Sequence, residues 1–102
     1  MMRDATSALL HAVNFPNFRH VSVEKIRSRN WTSATFAGTR HEFALRLDGD
    51  GADAAADTFL DGLEDREFNL NGHILADIAL VSRSDTGGVV RIELEALTLE
   101  DG

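Results

Sequence analysis

The chain has 102 residues, 43% of them hydrophobic, with no cysteine and a formal net charge of -7. That length supports one core and a single domain spanning 1–102, without a deep cleft between two domains. The absence of cysteine excludes disulfides, thiolate catalysis and zinc-thiolate sites; the acidic balance excludes a broad basic surface for nucleic acid, leaving open only a local patch at Arg19, Lys25, Arg27 and Arg29.

In chain order, Asp4 is placed to cap a short helix in which Ala5, Ala8, Leu9, Ala12 and Val13 repeat at helical spacing. Phe15-Pro16-Asn17 ends it, because proline lacks the amide and disfavours helical geometry in the residue before it. Val21, Val23 and Ile26 then predict a strand over about 18–27, with polar residues interleaved imperfectly. The stretch 28–39 is rich in Ser, Thr and Asn around Trp31 and Phe36, and predicts an extended or flexible hairpin. Strict alternation returns over 40–48, where Phe43, Leu45 and Leu47 share one side and Glu42, Ala44 and Arg46 the other.

Gly49-Asp50-Gly51 leads into an amphipathic helix expected over 50–66. Ala52, Ala55, Ala56, Phe59, Leu60 and Leu63 form one apolar stripe, while Asp53, Asp57, Asp61, Glu64 and Asp65 form a row of carboxylates opposite. Asp50 is the expected N-cap, Asp53 complements the helix dipole, and Gly62 is expected inside the helix. After a turn at 69–72, Ile74, Ala76, Ile78 and Leu80 predict one face of a strand. A loop at 84–88 leads to a last strand with Val90, Ile92, Leu94 and Ala96 facing inward. The expected fold is α+β, a mostly antiparallel sheet with a helix packed on one face, in the order α-β-β-β-α-β-β.

Charge follows this order. Residues 1–47 hold seven basic and three acidic side chains, residues 48–67 one and eight, and residues 68–102 two and six. The first half is therefore basic and the rest acidic. No run of about 18 apolar residues and no basic-then-apolar leader is present, so no membrane partner is expected, and the protein is expected to be made in a cytoplasm.

No catalytic constellation emerges. Asp48-Gly-Asp50-Gly-Ala-Asp53 resembles the start of a calcium loop, but its sixth and twelfth positions are Asp53 and Phe59 instead of glycine and glutamate. A capped strand-to-helix turn explains the same residues, so no metal is expected. His11, His20, His41 and His73 have no partner at a ligand or triad spacing, and the glycines form no phosphate loop, so no cofactor is expected either. Trp31 admits two readings: a cap on the core, or an anchor at a protein interface, with Arg27, Arg29 and Arg40 nearby. The candidate interface set is Arg27, Arg29, Trp31, Thr35, Arg40 and His41. The function class left beside assembly is a small α+β enzyme or ligand-binding domain with a pocket between sheet and helix.

Taken together, the strand leading to Trp31, the Gly38-Thr-Arg-His41 segment, the Ala-rich helix to Leu63, the Leu70-Asn-Gly-His73 step and the Arg91 to Leu97-Thr98 strand resemble the phage tail-completion, or tail-terminator, family, which also occurs in prophages and gene transfer agents. The resemblance spans about 21–98 and rests on order and spacing. Phe15-Pro16 departs from the pattern by lying several residues early. The resemblance implies a non-enzymatic structural protein of the virion tail or gene-transfer-agent particle, assembled in the host cytoplasm. Its implied partners are copies of itself in a ring, usually a hexamer, the tail tube protein and the head-tail connector. DNA would pass through the lumen without sequence-specific binding.

Overall fold

The computed structural model describes residues 9, 20–65, 68, 70 and 72–100. Its elements are β1 (Val21–Thr32), β2 (Ala37–Asp48), α1 (Ala52–Leu60), a short 3-10 helix (Leu63–Asp65), β3 (His73–Thr86) and β4 (Val89–Glu100). The four strands form one antiparallel sheet in the order β1-β2-β4-β3. With 12 to 14 residues per strand, the domain is elongated, 46 × 25 × 22 Å.

One side of the sheet carries the core. Phe43, Leu45 and Leu47 of β2 and Val90, Ile92, Leu94 and Ala96 of β4 lie in register on that face and are buried. Ala52, Ala56 and Phe59 of α1 pack onto them, as the helical stripe predicts. The small alanines let the helix approach the two central strands closely, and Phe59 fills the space between. Leu9, which is helical and 1% exposed, joins the same cluster. Apart from Leu9, the helix expected after Asp4 lies outside the described residues.

Four sequence expectations are corrected. Two strands precede α1 among the described residues, where three strands had been expected: 28–39 is the end of β1, a tight turn and the start of β2. The polar residues there are paired, with Thr39 Oγ1 donating to Asn30 Oδ1 at 3.4 Å, and the amide of Ser33 donating to the carbonyl of Phe36 at 2.8 Å. Helix α1 is shorter than 50–66. Its N-cap is Gly51, in the left-handed region with φ 84°, and no side chain caps it, so Asp50 does not have the expected role. Backbone carbonyls of Gly49 and Gly51 and the Asp53 carboxylate serve the first amides instead.

At its other end the chain leaves the helix at Asp61, and Gly62 lies outside it. The turn that follows sends Leu63, 3% exposed, back into the core from the 3-10 helix. The third correction concerns β3. Bulges at Ala76 and Val81 shift its register, so Leu75, Ile78 and Leu80 lie on the core face opposite Thr98, Ala96 and Leu94, while Ile74 lies on the other face. Finally, β3 and β4 run up to a two-residue turn at Gly87-Gly88, not a loop over 84–88. Both glycines have positive φ, 58° and 80°, which matches the twist of a tight hairpin.

Candidate functional site

The sheet face away from α1 is left uncovered by the described elements and is the candidate surface. Directly paired residues share a face, so the ladders can be read as rows across β1, β2, β4 and β3. The rows are Trp31, Gly38, Leu99 and Ile74; Arg29, Arg40, Leu97 and Asp77; Arg27, Glu42, Glu95 and Ala79; Lys25, Ala44, Glu93 and Ser82; and Ser22, Arg46, Arg91 and Ser84. The face is apolar at one end and charged over the rest.

Its charges are sorted by strand. Some are compensated locally: Arg46 Nε donates to both Asp48 carboxylate oxygens at 3.0 Å, Arg91 Nε donates to Glu24 Oε1 at 2.9 Å, and Arg27 lies 3.8 Å from Glu42. Among the described residues, Lys25, Arg29 and Arg40 enter no such pair, nor do Asp77, Glu93 and Glu95. The first three lie on β1 and β2 and the second three on β4 and β3, so the face has a basic side and an acidic side.

The expected interface residues divide accordingly. Arg27, Arg29, Trp31 and Arg40 come together on this face at successive rows, and Thr35 is exposed in the hairpin turn beyond them. His41 is not with them: it points to the core face and is fully buried. Its Nε2 lies 2.9 Å from Thr98 Oγ1 and its Nδ1 3.3 Å from Ser28 Oγ. Because Thr98 Oγ1 donates onward to the carbonyl of Thr39, it accepts from His41 Nε2 in this chain of bonds.

Trp31 and Gly38 meet this network from the other side. A Cβ on Gly38 would stand 2.1 Å from the Thr98 carbonyl oxygen and 3.1 Å from Trp31 Nε1, so the missing side chain is what lets Trp31 lie over the strand. Trp31 is half-buried, and its Nε1 is buried without a hydrogen-bond partner among the described residues. Trp31, Gly38, His41 and Thr98, all positions of the sequence resemblance, therefore form one contiguous packing unit.

No family model and no curated protein matches the sequence. The fold is similar to that of a chain from the virion of a native gene transfer agent particle. The two are 20% identical, with a TM-score of 0.56, and the match covers 98% of this chain and 87% of that one. At this identity the likeness is one of fold.

Among the described residues, no three His, Asp or Glu side chains converge as metal ligands. Asp48, the first residue of the calcium-like loop, is held by Arg46. A groove of about 170 Å³ on the uncovered face is rimmed by Lys25, Glu42, Val81, Glu93 and Glu95, and is smaller than most small-molecule sites. A cavity of about 350 Å³ lies between Gly49–Asp53 and Asp85–Val90 at the end of the sheet. Between α1 and the sheet, where the alternative reading as an enzyme or ligand-binding domain would have its pocket, Ala52, Ala56 and Phe59 pack into the core. Among the described residues, no helix is long and apolar enough to cross a membrane.

The sequence missed how the charges are sorted by strand. The signal lay in Lys25, Arg27 and Arg29 at alternate positions, and in Glu93 and Glu95 likewise. Only the strand order places the two sets on opposite sides of one face.

Proposed function

We propose that this chain is a structural virion protein of the tail-completion kind. In this reading, copies form a ring, usually a hexamer in such proteins, at the head-proximal end of the tail tube. The ring stops tube growth and joins the tail to the head connector, and DNA passes through its lumen without sequence-specific binding. The observation that carries the reading is the uncovered sheet face, with its charges divided between a basic and an acidic side. A subunit of a closed ring needs two unlike patches, because each contact is heterologous. The fold shared with a chain of a gene transfer agent virion supports it, and so does the sequence resemblance spanning 21–98.

Arg27, Arg29, Trp31 and Arg40 are the proposed contact residues, with Thr35 at the hairpin tip. His41 supports them from the core without touching a partner. Negative-stain microscopy of the purified protein, alone and with isolated tail tubes, tests the proposal. Rings or capped tubes are the expected result. A protein that stays monomeric at every concentration and never engages a tube overturns it, and tubes grown from this protein alone reassign it as a tube subunit.

A further inference from the structure

We propose that successive copies join edge to edge, the edge of β3 that no other described strand covers pairing in one copy with the corresponding edge of β1 in the next. The inference rests on the ring reading above and specifies its interface. Its first support is direction. Every neighbouring pair in the order β1-β2-β4-β3 is antiparallel, so the two edge strands run in opposite directions. A second copy set beside the first in the same orientation therefore presents its β1 antiparallel to β3, and the step repeats under a rotation without inverting any subunit.

The second support is what the edges leave uncovered. On the core face, Val23 and Ile26 of β1 are 46% and 42% exposed, and Leu80 of β3 is 43% exposed. They flank the core cluster beneath α1 on its two sides, because the nine-residue helix covers only the central strands. Joining the edges brings Leu80 of one copy to the same layer as Val23 and Ile26 of the next. The apolar layer then continues across the joint, and the sheet ladder is extended from one copy to the next.

Charge decides between this arrangement and a two-fold one. Pairing β1 with β1 would set Lys25, Arg27 and Arg29 against the same residues of the second copy, and like charges opposite each other destabilise a ladder. Pairing β3 with β1 instead places those cations beside Asp77, with Glu93 and Glu95 one strand further in.

Because the chain has no cysteine, single-cysteine variants report the interface without background. Ile26→Cys and Leu80→Cys proteins are mixed and treated with a bismaleimide whose spacer covers two strand spacings, about 10 Å. Cross-linked dimer should form in the mixture and not in either variant alone. Dimer from Ile26→Cys alone overturns the proposal, as do rings by microscopy that give no cross-link in the mixture. Cross-linked open chains without closed rings would uphold this interface while overturning the ring. As a second measurement, Lys25→Glu/Arg29→Glu and Asp77→Lys/Glu93→Lys are checked for folding by circular dichroism. Each alone should need a roughly tenfold or greater concentration to associate. Mixing the two should restore assembly with the variants alternating, because both joints between unlike copies set an acidic edge against a basic one, and unchanged association of either alone overturns the charge argument.

Discussion

Thr98 and His41, 57 residues apart in the chain, meet at 2.9 Å beneath the uncovered face of the sheet. The bond ties β4 to β2 at the end where β1 turns back, and it is fully buried. A polar pair in that position is stable only while both partners are present, since a buried donor left alone keeps its desolvation cost.

Thr98→Val should therefore destabilise the fold by roughly 1–3 kcal/mol, by orphaning the imidazole N–H. The double variant His41→Leu/Thr98→Val should lose less than the sum of the two single variants, because neither polar partner remains. Urea denaturation with unchanged m-values checks both statements.

Gly38→Ala should cost about 1–3 kcal/mol, since its Cβ would stand 2.1 Å from a backbone carbonyl that belongs to a paired strand and cannot swing aside. The same substitution at Gly49 meets nothing within 4 Å, so its cost reflects only the positive φ of 93° and should be nearer 1 kcal/mol. Comparing the two denaturation midpoints separates crowding from backbone strain.

Arg83 fastens β3 to the helix and to its own strand. It donates to Asp57 Oδ1 at 2.6 Å and to both Asp85 carboxylate oxygens at 2.9 Å. The Arg83 hydrogen bond holds the Asp85 carboxyl below its ordinary range, while Asp85 first and Asp57 second raise Arg83 above its own. A depressed carboxylate contributes stability that is complete above its unfolded pKa and is lost as pH falls through the folded value. Asp85→Asn should thus be less stable than the parent at neutral pH, and the difference should vanish at low pH. Arg83 stays charged throughout. Thermal unfolding between about pH 6 and pH 2 reads this, and a difference that does not change with pH would refute it.

Phe59→Ala should cost roughly 3–5 kcal/mol, because the ring is 3% exposed and fills the space between α1 and the sheet. Glu64→Gln, on the exposed carboxylate side, should change stability by no more than about 0.5 kcal/mol. Equal effects from the two would mean that the helix does not seat on the sheet as described.

Much of the fold is written in local periodicity. The helical stripe from Ala52 to Leu63, the alternation of Phe43, Leu45 and Leu47, and that of Val90 to Ala96 each identify a buried face from neighbouring residues alone. They do so because burial of one face imposes a period of 3.6 or 2 on the chain. Where the apolar run is unbroken, as at Ile74-Leu75-Ala76, periodicity offers two faces and cannot choose. The bulges at Ala76 and Val81 choose instead, by keeping the ladder with β4 in register. In β1 the imperfect interleaving of Val21, Val23 and Ile26 has its cause in the bulge at Glu24, which shifts Ile26 onto the same face as the two valines.

Sequence by itself determined the composition of the surface: a basic first half, an acidic remainder, no cysteine and a row of carboxylates from Asp53 to Asp65. It also assembled Trp31, Gly38, His41 and Thr98 into a family resemblance without saying why those residues go together. Tertiary structure decided that. Strand pairing sets Trp31 over Gly38, Gly38 against Thr98 and Thr98 on His41, so the four are one packing unit, and His41 is removed from the candidate interface. It likewise decided the sides of the charged face, because which strands become neighbours depends on long-range pairing that no local pattern encodes.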